Sequence, residues 1–252
     1  MASLSLYKLN QTPKRNGSNN LSEEMMRYEE ILRKLKSLAD PEARAKLARF
    51  GIKTKNIVYG VPAPALEKLV KEIGRNHALA QRLWKSGIMD AQAIAVSIDD
   101  PKLVSEEQME VWVKDFDSWA ICDATCNHLF RKTSLAYQKA EEWSKRDEEY
   151  VKRAGFVLMA TLAVHDKKAA DETFIKFLPI IKQEATDERN FVKKAVNWAL
   201  RQIGKRNLNL NKKAIEIALE IKRINSRAAR WIASNALREL TNDKVQKRLS
   251  RR

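Results

Sequence analysis

From about residue 22 onward, apolar residues recur at helical spacing almost without a break. Ile31, Leu32, Leu35 and Leu38 set the pattern, and Ser22 ahead of Glu23 and Glu24 reads as an N-cap with an acidic first turn. Asp40-Pro41 restarts a helix and Gly51 stops it; Pro64 starts another, closed near Gly74. Further helical segments are predicted at about 77–86, 90–98, 104–115, 118–131, 134–144, 147–164, 168–183, 188–204, 210–222 and 225–240. That makes about a dozen helices of two to four turns, and their short connections imply antiparallel neighbours. Residues 52–62 (IKTKNIVYGVP) are strand-like in composition but short, and read as a loop. Residues 1–20 are polar and aperiodic, and read as a flexible leader. The expected organisation is this leader, one helical domain over 21–245 and a basic tail at 246–252.

Three segments repeat one another. They are Val151-Lys-Arg153-Ala-Gly-Phe-Val, Val192-Lys-Lys194-Ala-Val-Asn-Trp198 and Ser226-Arg227-Ala-Ala-Arg230-Trp231. Aligned on the basic residue before Ala, they superpose Arg153, Lys194 and Arg227, at intervals of 41 and 33 residues. Trp198 and Trp231 then fall at the same place. Helix pairs of helical solenoids occupy about 33–47 residues, and their equivalent helices line one face. The pattern therefore predicts an all-α solenoid with Arg153, Lys194 and Arg227 in a row.

Composition narrows the functional classes. The chain has 252 residues, 48 Lys and Arg against 32 Asp and Glu, and a net charge of +16. The excess is concentrated: residues 188–252 hold 18 basic and 5 acidic side chains. Such an end is an electrostatic footprint for a polyanion, nucleic acid being the commonest; a solvated basic face and an anionic membrane surface are the competing readings. No apolar run approaches the roughly 20 residues of a membrane helix, and no secretory signal is present. Two Cys and three His make neither a disulfide framework nor a convincing zinc site. No P-loop, HExxH, GxSxG or kinase signature occurs, so neither cofactor nor metal is expected.

Two places could do chemistry. In FDSWAICDATCNHLF (116–130), Trp119 and Asp123 share a helix face among small and apolar residues. Asp123 is there either a structural cap or ion-pair partner, or a carboxylate in a cleft beside an indole. In NFVKKAVNWALRQIGKRN (190–207), Lys194, Trp198 and Arg201 form one stripe suited to phosphate and stacking contacts. The alternative is a core Trp198 with cations snorkelling outward. Arg227 and Arg230 flank Trp231 on the next helix and read as phosphate-binding. Cys122 and Cys126 read as buried thiols rather than ligands. Lys152 and Lys194 are the amines that a lyase step would need in principle.

Trp119-x-x-x-Asp123, Tyr150-Val-Lys-Arg153-Ala and Phe191-Val-Lys-Lys-Ala-Val-Asn-Trp198-Ala-Leu-Arg201 resemble the AlkD-like family of DNA alkylation-repair proteins, glycosylases built from HEAT-like repeats. Phe50-Gly-Ile-Lys-Thr and Arg82-Leu-Trp84 extend the resemblance over about 25–245, whereas Asn56-Ile-Val-Tyr-Gly-Val-Pro62 departs from it. The resemblance implies antiparallel HEAT-like helix pairs with a concave, basic, DNA-binding face. It implies hydrolysis of the N-glycosidic bond of N3- or N7-alkylated purines in duplex DNA, by a cytoplasmic, nucleoid-associated protein. Asp123 would be the catalytic carboxylate, Trp119 and Trp198 the aromatic pair beside the lesion, and Arg153 and Arg201 contacts in the same cleft. A monomer is the default expectation. The alternatives are a non-catalytic binder of branched or damaged DNA and a scaffold for an acidic protein.

Overall fold

The computed structural model describes residues 17–251, with side chains from residue 27 on. Most of the expected leader therefore lies outside the described residues. Fifteen α-helices follow: α1 (Gly17–Ser37), α2 (Ala43–Arg49), α3 (Ala63–Ile73), α4 (His77–Lys85), α5 (Met89–Ile98), α6 (Glu106–Lys114), α7 (Trp119–His128), α8 (Ala136–Ser144), α9 (Glu149–His165), α10 (Asp171–Ile175), α11 (Phe177–Gln183), α12 (Asn190–Gly204), α13 (Leu208–Lys222), α14 (Arg227–Leu240) and α15 (Asp243–Leu249). The described residues hold no strand, only an isolated parallel bridge between Ile57 and Ile88.

The arrangement is an all-α solenoid. Helices α5, α7, α9, α12 and α14 lie side by side as one layer; α4, α8, α11 and α13 pack against it as the second. Helix α9 is the spine. Its residues from Val151 to Ala163 are all buried, because α7, α8 and α12 cover it from three sides. Gly155 permits the close approach of α8: a Cβ there would lie 2.4 Å from the backbone nitrogen of Ser144. The other end of the core is aromatic, with Trp84 and Trp112 stacked at 4.0 Å and Phe130 and Trp143 fully buried behind them.

The 52–62 segment is a loop, as the sequence suggests, and it is firmly docked. Asp90 at the start of α5 accepts the backbone N–H groups of Tyr59 and Val61 at 2.8 Å and of Gly60 at 3.2 Å. Charge-assisted bonds of this kind fix a loop that has no helix ladder of its own.

Three boundaries differ from the sequence reading. Helix α1 begins at Gly17, so Ser22 is inside it rather than at its cap. The single helix expected over 168–183 is two, α10 and α11. Pro179 explains the break: it has no N–H, and its ring excludes a helical carbonyl at Ile175. The basic tail is helical to Leu249, which is buried; Asn242 caps α15 by accepting from the N–H of Lys244. No helix among the described residues is long and apolar enough to cross a membrane.

Candidate functional site

Four adjacent helices of the first layer place their starts in register. They begin at Trp119, Glu149, Asn190 and Arg227. Their fifth residues are Asp123, Arg153, Lys194 and Trp231. Contacts across the helices agree: Asp123 meets Arg153, Arg153 reaches Phe191 on α12, and Lys193 lies over the ring of Trp231. The third repeat is therefore offset by 37 residues, from 190 to 227, and not by 33. Trp231 takes the place assigned to Arg227, and Trp198 has no tryptophan counterpart on α14. A four-residue slip keeps almost the same helix face, so the apolar pattern alone tolerates either register.

The row is closed at one end. Arg153 donates from Nε to Asp123 Oδ1 at 2.9 Å and from Nη2 to Asp123 Oδ2 at 2.8 Å. Its Nη1 donates to the carbonyl oxygen of Phe191 at 2.6 Å. The Arg153 side chain is only 7% exposed, and that of Asp123 is 22% exposed. Arg153 is thus no member of an exposed phosphate row; α9 is too deeply covered for that. It is a fixed bracket for a carboxylate that still reaches the surface. Burial pushes the Asp123 carboxyl above its ordinary value, and the Arg153 charge and hydrogen bonds pull it back.

Aromatic residues occupy the first turns of the same helices: Trp119 on α7, Tyr150 on α9 and Phe191 on α12. Tyr150 packs on Phe191 with ring centroids 5.8 Å apart. The indole N–H of Trp119 donates to the carbonyl oxygen of Phe50 at 3.1 Å. Gly51 has φ +73°, and a Cβ there would touch Phe191 at 3.7 Å. The chain after α2 is held in this position by Asp117, which accepts from Thr54 Oγ1 at 2.7 Å and from the N–H of Lys55 at 2.8 Å. Phe50 itself is 72% exposed. Trp198 is half-buried on α12, two turns beyond Phe191, and packs against the core.

The remaining candidates separate by burial. Lys194, Arg227 and Arg230 are exposed. Arg230 donates to Asn225 Oδ1 at 3.2 Å. Arg201 is half-buried and ion-paired with Glu239, which also takes Lys205. Lys152 is buried and donates to Glu184 at 2.6 Å. The thiols of Cys122 and Cys126 are buried against the carbonyls of Tyr150 and Ala154. Burial holds the Cys122 thiol far above its ordinary range, so it stays protonated and unreactive. Glu239 and the exposure of Phe50 were not singled out by the sequence, and Tyr150 entered only as part of a motif. Their signal is long-range: Glu239 lies 38 residues from Arg201 and meets it only when α14 stacks on α12.

Comparison with known proteins is consistent in direction. The family described as DNA alkylation repair enzyme matches residues 31–240. The uncharacterized protein Lin0241 of Listeria innocua is 21% identical over 203 residues, which cover 79% of this chain and 88% of that protein. A solved structure is similar with a TM-score of 0.69 at 23% identity, covering 89% of this chain and 94% of its own. It represents a new family of proteins related to the HEAT-like repeat DNA glycosylases with affinity for branched DNA structures.

Proposed function

The chain belongs to the DNA alkylation repair enzyme family, and from that premise we propose that it excises N3- or N7-alkylated purines from duplex DNA, with Asp123 as the catalytic carboxylate. One observation carries the reading. A carboxylate is held bidentately by a buried arginine and still opens to the surface.

An alkylated purine carries a positive charge and leaves with the glycosidic electron pair, so no general acid has to protonate it. Positive charge then develops on the deoxyribose. A fixed anion beside C1′ stabilises it, and water adds to C1′ while its proton passes to the carboxylate or to solvent. Arg153 is a positioning residue: its bonds to Asp123 and to the Phe191 carbonyl fix the carboxylate relative to α12. Trp119 and Trp198 present π faces to a cationic base or sugar, worth about 0.5–2 kcal/mol each. Lys194, Arg227 and Arg230 hold phosphates, and Arg201, tied to Glu239, completes that set. A protein with this substrate works in the cytoplasm, beside the nucleoid, as a monomer.

A second reading has its own observation. Both oxygens of Asp123 already accept from Arg153, an arrangement that also suits a structural ion pair in a non-catalytic binder of branched or damaged DNA. Release of free 7-methylguanine from methylated duplex DNA separates the two. The expected result is release by the wild type, loss of about 100-fold or more of that rate in Asp123→Asn, and retained DNA binding. Absence of release, with salt-sensitive binding by both proteins, would leave the second reading in its place.

A further inference from the structure

Trp231 has no role in excision, yet it completes the row that begins at Asp123. It is 40% exposed, unusual for an indole at a position whose equivalents on α7 and α9 are committed to an ion pair. Cations crowd it. Lys193 Nζ lies 5.5 Å from its ring centroid. Lys194, Arg227 and Arg230 are exposed on the same two helices. Glu188, the carboxylate at the edge of this cluster, is committed to α14, accepting from Ser226 Oγ at 3.1 Å and the N–H of Ala228 at 2.9 Å. The cluster therefore presents an aromatic face framed by positive charge.

We propose that Trp231, with Lys193, Lys194, Arg227 and Arg230, is a binding site for an unpaired nucleotide, the indole stacking on its base and the cations holding the adjoining phosphates. This rests on the DNA-binding part of the reading above and not on excision. Helix axes pack about 8–10 Å apart, so three steps from α7 to α14 carry Trp231 about 24–30 Å from Asp123. At about 3.4 Å per nucleotide that is seven to nine steps along a strand, too far to touch the lesion. In an intact duplex every internal base face is already covered by its neighbours. An exposed indole at that distance finds a free π face only where the strand is single or frayed. Base stacking on such a residue is sequence-tolerant and suits a site without base-edge readout. The ammonium of Lys193, now over the ring, passes to the incoming phosphate.

The test compares a blunt duplex with the same duplex bearing a single-stranded extension of about ten nucleotides, by fluorescence anisotropy with the full-length protein. The wild type is expected to bind the extended DNA several-fold more tightly. Trp231→Ala loses that preference and keeps its affinity for the blunt duplex, while Trp231→Phe retains most of the preference. Thermal unfolding of each variant checks that the fold is kept. The proposal is overturned if the wild type shows no preference, if Trp231→Ala keeps it, or if Trp231→Ala weakens both DNAs equally. Failure of the wild type to bind either DNA would instead sink the DNA-binding reading beneath it.

Discussion

The α7–α9 end of the row and its α12–α14 end use the same helix position in opposite ways. At Asp123 and Arg153 opposite charges meet, largely buried, with both carboxylate oxygens engaged. At Lys194 and Trp231 the side chains are exposed, and the charge around them is mainly positive, with Glu188 at the edge held by the start of α14. A closed pair has little far field, and its worth is geometric: it holds one carboxylate in one orientation. An open cation has no fixed geometry but adds to a field that attracts phosphate at a distance. The contrast follows from packing. Helix α9 is covered on three sides, whereas α14 is covered chiefly by α12 and α13. One repeated position is thus closed by an ion pair at one end of the row and open to solvent at the other.

The strongest way to break this comparison is to remove Arg153. Arg153→Ala leaves the Asp123 carboxylate in a mostly buried site without its counter-ion and leaves the Phe191 carbonyl without its donor. Removing one partner of a buried pair costs about 3–5 kcal/mol. Lys194→Ala, at an exposed position, is expected within about 0.5 kcal/mol of wild type. Urea unfolding of both variants measures the difference. Similar small losses would mean that the closed end is no more structural than the open one.

A smaller effect sharpens the role of the carboxylate. On the proposed reading Asp123 acts in its ionised form, so excision is expected to fall as pH drops through its pKa. Burial raises that value above the ordinary 3.8 of an aspartate. The acid limb of the rate profile is therefore expected at higher pH than an exposed aspartate would give. In Arg153→Gln the lowering influence of the guanidinium is gone while the burial remains, so the limb moves further up. An unmoved limb in that variant would show that Arg153 does not act through Asp123.

The sequence made the helices legible, because a solenoid repeats one simple rule: an apolar stripe at helical spacing with short connections. It also made Asp123 and Trp119 legible, since both lie on one short helix. Three features escaped it for physical reasons. Pro179 lies in a run whose apolar spacing continues past it, and periodicity does not register a missing N–H. The register of α14 escaped because a slip of one turn leaves the buried stripe intact. The burial of Arg153 escaped because arginine is usually a surface residue. Only the stacking of α7, α8 and α12 around α9 takes it out of solvent. The resemblance to glycosylases grouped Arg153 with the cleft, but the three acceptor atoms that fix it belong to two residues, 30 and 38 positions away.

The smallest expected effect is the most specific to the open end. Each phosphate contact on duplex DNA releases counterions and contributes about 0.9 to the slope of log affinity against log salt. Lys194 is exposed on α12, next to Lys193, which lies over the ring of Trp231 on α14. If it holds one phosphate, Lys194→Ala lowers the magnitude of the slope by about 0.9 and weakens binding to all duplexes alike, because a phosphate carries no sequence. Removing the closed pair together, Arg153→Gln with Asp123→Asn, is expected to leave the slope unchanged whatever it does to excision, since the two charges match each other. Titrations of both variants across a range of salt concentrations measure the two slopes. Equal slopes for wild type and Lys194→Ala would remove Lys194 from the phosphate set. A reduced slope for the Arg153→Gln, Asp123→Asn double variant would mean that DNA opens the pair and takes up Arg153, and the division between a closed and an open end would then hold only for the free protein.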